Sequence, residues 1–164
     1  MGLMAKLFGQ GEPDHPELDA GSEAAKQLER FREPLHQLAE EFGGERMELV
    51  PSENGGYVFV GKPPKQFALA WLVNGEVKHF KSLVEEGNLS PVLMEKLVGK
   101  LTEAYEVSKD APRYKAQVGD YAMVVVPDAT LESNVRQLID EMNEKVRKKK
   151  EKAAAAASGG EAGG

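Results

Sequence analysis

The sequence predicts an α+β fold: a mainly antiparallel sheet, made of a four-strand meander and a C-terminal hairpin, packed with about three helices. Three observations carry this. Residues 66–81, QFALAWLVNGEVKHFK, set two strand-like runs on either side of Asn74-Gly75, the dipeptide that most readily closes a type I′ turn. Residues 90–107 and 128–146 instead repeat apolar side chains at helical spacing. Strands and helices come in runs rather than in strict alternation, which indicates segregated elements and an antiparallel sheet.

The elements are expected in this order. Residues 9–21, GQGEPDHPELDAG, hold two prolines, three glycines and four acids, so residues 1–21 read as a flexible arm. Ala24, Leu28, Phe31, Leu35, Leu38 and Phe42 then step by four and three along a helix over 22–42. Ser22 suits its N-cap and Gly43 its C-terminal stop. Pro34 either kinks this helix or starts a second one. The same spacing matches a coiled-coil seam, but it runs for under three heptads and reads better as a core-facing stripe.

Met47–Val50, Tyr57–Val60, Gln66–Val73 and 76–81 form the meander. The two-residue turn fixes its register. Val73 then faces Glu76, Trp71 faces Lys78, and Leu69 faces Phe80. Phe67, Leu69, Trp71, Val73 and Phe80 share one face; Ala68, Ala70, Leu72, Val77 and His79 share the other. Both faces are largely apolar, so both require cover from this chain or from a partner.

Ser90-Pro91 starts the next helix, with serine at the N-cap and proline at N1. Its stripe is Leu93, Met94, Leu97, Val98, Leu101, Ala104 and Tyr105. Gly99 costs that helix about 1 kcal/mol against alanine; a close backbone approach there is one reason for it. RYKAQVGDYAMVVV then forms a hairpin turning at Gly119-Asp120. Asp128 caps the last helix, whose stripe is Leu131, Val135, Leu138, Ile139, Met142 and Val146. One domain over 22–150 results. Residues 151–164 end in AAAAASGGEAGG and read as a disordered tail.

The formal charge of −6 disfavours general attraction to nucleic acid or anionic membrane. It is uneven: residues 141–152 hold six Lys or Arg against three Glu, leaving −9 on the rest. The absence of cysteine excludes disulfides, thiolate catalysis and cysteine-ligated metal. No apolar run approaches the ~18 residues of a membrane span, and the N-terminus lacks the basic and apolar regions of a signal peptide. A cytoplasmic location is expected.

No catalytic motif emerges. The histidines are His15, His36 and His79, with no His-x-x-x-His spacing among them. No Gly-x-Ser-x-Gly elbow, Walker loop or dinucleotide fingerprint is present. No cofactor and no metal are expected, and the chain reads as no enzyme.

The expected function is a non-catalytic protein-binding module: an adaptor, chaperone or assembly subunit. Its partner is another protein or a second copy of itself in a homodimer. The candidate contacts are Leu3, Met4, Leu7 and Phe8 near the N-terminus, Ala68, Ala70 and Leu72 on the hairpin, and Lys145, Arg147, Lys148, Lys149 and Lys150 at the basic helix end. Two alternatives stay open. One is a small-ligand or regulatory domain with a pocket near His79. The other is an electrostatic tether through the basic end.

The segment PLHQLAEEFGGERMELVPSENGGYVFVG, and the order helix, meander, helix, hairpin, helix, resemble type III secretion chaperones over residues 22–148. That resemblance implies a homodimer that binds an unfolded partner segment along apolar surface. The acidic arm and the basic helix end depart from the family pattern.

Overall fold

The computed structural model describes residues 15–43, 45–53, 55–63 and 66–163, with side chains to residue 155. Among these, the chain forms six strands and five helices. In order they are α1 (Glu23–Arg30), α2 (Arg32–Glu41), β1 (Met47–Ser52), β2 (Gly55–Lys62), β3 (Gln66–Val73), β4 (Glu76–His79), α3 (Phe80–Gly87), α4 (Pro91–Val107), β5 (Tyr114–Val118), β6 (Tyr121–Val125) and α5 (Ala129–Gly163).

The strands build one sheet in the order β4-β3-β2-β1-β6-β5. The meander and the hairpin are both present. They are joined through β1 and β6, which run parallel with Glu48 opposite Val124 and Leu49 opposite Val125. The sheet is therefore mixed rather than antiparallel throughout. The turn at Asn74-Gly75 has φ of 51° and 82°, as a type I′ turn requires. It sets Val73 opposite Glu76 and Trp71 opposite Lys78, in the expected register.

Helices cover both faces. On one, Leu28, Leu35 and Leu38 of α1 and α2 pack on Leu49, Val58, Ala70 and Leu72. On the other, Leu101 of α4 and Leu131, Val135 and Ile139 of α5 pack on Val50, Phe59, Leu69 and Trp71. A third cluster, Leu89, Leu97, Met142 and Val146 with Phe80 and Leu83, binds α3, α4 and α5 to one another. The middle of both apolar faces of the first hairpin is thus covered from within the chain, while Ala68 and Val73 stay exposed.

Of the two outcomes open at Pro34, a second helix is the one seen: it starts at Arg32, and the break falls at Phe31 (φ −106°, ψ 19°). Pro34 has no N–H to bond the carbonyl of Arg30, the last residue of α1. Three further expectations need correction. The strand expected to run to residue 81 stops at His79, and α3 follows. Phe80, Leu83 and Val84 turn their apolar side toward α5, and Asn88 ends the helix in a left-handed conformation (φ 48°).

The arm is packed at its end. Leu18 N donates to Lys115 O at 2.9 Å and Lys115 N to Pro16 O at 2.8 Å. Residues 16–18 thereby occupy the outer side of β5, an edge strand that would otherwise present unpaired backbone groups. Finally, α5 continues through Gly163, across the stretch whose composition suggested a disordered tail. Residues 153–157 are five alanines, the residue with the highest helix propensity.

Candidate functional site

Helix α4 offers the most exposed apolar surface among the described residues. Ser90 Oγ accepts from Leu93 N at 3.2 Å and Pro91 takes the first helical position, so the helix starts where the sequence indicates. Leu97, Leu101 and Ala104 point inward and are buried. The outward side is set by residues 92, 96, 99, 103 and 107, whose steps of four, three, four and four keep them in line. Val92 is 78% exposed and Val107 64% exposed. Lys96, Gly99 and Glu103 lie between them and are also exposed.

Gly99 has no packing reason among the described residues. A side-chain carbon built there meets no described atom within 4 Å. The glycine costs the helix about 1 kcal/mol against alanine, and no described neighbour requires its lack of a side chain. A shallow groove of about 330 Å³ runs beside it between α4 and α5, with Lys100, Glu103, Val107, Gln137 and Glu141 on its walls. Lys100 is held across it by Glu141 at 3.4 Å. Lys96 and Glu103 form no ion pair with another described residue.

A second cleft, of about 370 Å³, lies at the other end of α4 beside His15, Arg46, Tyr105, Lys109 and Arg113. Its lining is basic, but its most buried cation is already occupied. Arg113 Nε bonds Glu48 Oε1 at 2.9 Å. Its other nitrogens bond Ser108 O at 2.9 Å, Ala111 O at 3.1 Å and Ser108 Oγ at 3.2 Å. Tyr105 donates its hydroxyl proton to the other oxygen of Glu48. Burial, and then that hydrogen bond, push the Tyr105 phenol up to about 12. The arrangement fastens the α4–β5 connection to the centre of the sheet.

The residues singled out from sequence fall in different places. Ala70 and Leu72 are buried beneath α1 and α2. They lie in the interior, which corrects their assignment to a partner surface. Ala68 is exposed near the start of β3. Leu3, Met4, Leu7 and Phe8 lie outside the described residues. The basic end of α5 is partly neutralised within the chain. Arg147 pairs with Glu144 and, at 2.6 Å, with Glu151. Lys150 pairs with Glu86, and Lys149 donates to Asn88 O. The contact with Lys150 holds the Glu86 carboxyl below the usual carboxylate range. Lys148 is exposed, and Lys145 is half-buried.

His79 ends β4, the edge strand of the sheet. Its Nε2 lies 3.2 Å from Glu41 Oε2, and its ring sits 6.0 Å from that of Phe42. Neither cleft described above reaches it. His36 meets Glu40 at 3.0 Å and Tyr121 edge-on at 5.4 Å. Among the described residues no group of three or more His, Asp or Glu side chains stands close enough to hold a metal ion. No described helix is long and apolar enough to cross a membrane.

The outward face of α4 was legible only in part. Gly99 stands out in the sequence, and Val92 and Val107 fall off the buried stripe. Their common side becomes informative once the fold shows that no described residue covers it. No protein-family model, curated protein or solved structure matches this chain.

Proposed function

We propose that this chain is a non-catalytic protein-binding module, acting as an adaptor, chaperone or assembly subunit. One observation carries the reading: α4 presents two exposed valines on either side of an exposed mid-helix glycine that no part of the described chain touches. Val92 and Val107 would gain by leaving water, and a helix without a side chain at its midpoint lets another backbone come close. The resemblance of the sequence to type III secretion chaperones is in keeping with a binding role. A location in the cytoplasm suits it as well.

Photo-crosslinking residues placed singly at positions 92 and 107 test this. Discrete protein adducts are expected from both positions, and none from a control at Gln37, which is exposed on α2 in the opposite layer. Equal labelling at all three positions, or none at 92 and 107, would count against the reading.

A further inference from the structure

The geometry points to a second copy of this chain as the partner of α4, in an antiparallel two-fold contact. The inference rests on the protein-binding reading above and gives it an occupant.

The outward stripe reads the same from both ends in the sense that an antiparallel pairing requires. In such a pairing with its dyad between residues 99 and 100, position i of one copy meets position 199 − i of the other. Val92 then meets Val107, and Lys96 meets Glu103. Each contact occurs twice, as an isologous interface demands. Gly99 falls at the dyad, where the two backbones are closest. The two copies thus match apolar to apolar at the ends and opposite charges inside.

The described residues offer these groups nothing better. Lys96 and Glu103 lie seven positions apart on one helix, about 10 Å along its axis, too far to pair within it. Among the described residues neither has an ion-pair partner. Val92 and Val107 are 78% and 64% exposed. Gly99, which weakens the isolated helix, has no described atom within 4 Å of where a side chain would start. A second α4 supplies every one of these positions with a partner at once.

The contact is small. A stable complex uses roughly 20–30 residues a side, and this stripe with the rim of the α4–α5 groove supplies fewer. The dimer is therefore concentration-dependent, not permanent.

Sedimentation velocity on the full chain across the micromolar range tests the inference. The weight-average mass should rise from the 17.9 kDa of one chain toward twice that value. Lys96→Glu alone and Glu103→Lys alone each set like charges opposite one another twice, and each should weaken dimerisation by about tenfold or more. Mixing the two variants in equal amounts sets two carboxylates on one copy against two lysines on the other, and should restore a dimer.

A wild-type chain that stays monomeric throughout overturns the inference, as does a dimer that both single variants leave unchanged. Loss in the single variants without recovery in the mixture overturns the antiparallel register. Recovery on mixing also shows that the variants are folded. A monomeric wild type that still yields adducts with a different protein from positions 92 and 107 would remove the self-association while leaving the protein-binding reading intact.

Discussion

Glu48 and Arg113 lie 65 positions apart and meet at 2.9 Å, with side chains 1% and 9% exposed. Glu48 sits on β1 at the centre of the sheet; Arg113 leads into β5 at its edge. Removing one member of such a buried pair strands the other in a low-dielectric site. Arg113→Met is expected to cost about 3 kcal/mol, read as a lower urea midpoint with an unchanged slope. Replacing both residues with apolar ones should cost less than Arg113→Met alone, because the buried carboxylate is then removed together with its guanidinium. A double variant as unstable as the sum of the two single changes would contradict this account.

Gly119 closes the second hairpin at φ +60°, beneath the ring of His36. A side-chain carbon there would stand 2.6 Å from His36 Cδ2. Gly119→Ala should therefore lose about 1–2 kcal/mol from the left-handed backbone alone, and more from the clash. In a His36→Ala background the clash is gone and only the backbone part should remain. Thermal melts of the two single variants and the double variant measure that coupling.

Alkaline pH should weaken the fold through two tyrosines. Burial pushes Tyr57 and Tyr105 from 10.0 up to about 12; the nearby carboxylates Glu132 and Asp140 add to the effect at Tyr57, and Glu48 at Tyr105. The folded chain keeps both phenolic protons over a pH range where the unfolded chain releases them. The stability they provide is complete below pH 10 and is lost as pH rises toward about 12. Urea midpoints should fall across that window. Tyrosinate absorbance of the folded protein should show a late step that shrinks in Tyr105→Phe.

The end of α5 should be dispensable for stability. Val146 is 4% exposed and packs against Leu89, Leu97 and Met142, whereas residues 151–155 are all exposed. Ending the chain after Lys152 should change the unfolding free energy by no more than about 0.5 kcal/mol, the range of surface changes. Val146→Ala opens a hole in that cluster and should cost about 1–3 kcal/mol. Denaturant curves for the two variants separate these effects.

Local chemistry made much of the fold readable. Asn74-Gly75 announces its turn and fixes the register of Trp71 and Val73. Ser90-Pro91 and Asp128 mark helix starts, and their side-chain oxygens do accept from Leu93 N and Leu131 N. The parallel seam between β1 and β6 was hidden because nothing in either strand encodes its neighbour. It joins Leu49 to Val125, 76 positions away. Helix α3 was missed because Phe80 continues the alternation of β4 while also opening a helical pattern with Leu83 and Val84. The cover over Ala70 and Leu72 could have come from any apolar helix, and only the packing identifies it as α1 and α2. The face of α4 shows the converse limit: a sequence displays which side chains are greasy, but not which of them the fold leaves bare.

The seam between β1 and β6 also has a consequence for biosynthesis. The meander leaves the ribosome long before β6 and α5, yet the layer that shelters Phe59, Leu69 and Trp71 is drawn largely from residues 101–139. A nascent chain halted near residue 90 would carry one sheathed surface and one naked, sticky one. For this protein, synthesis must pass residue 139 before a pulse of protease finds that surface sheltered.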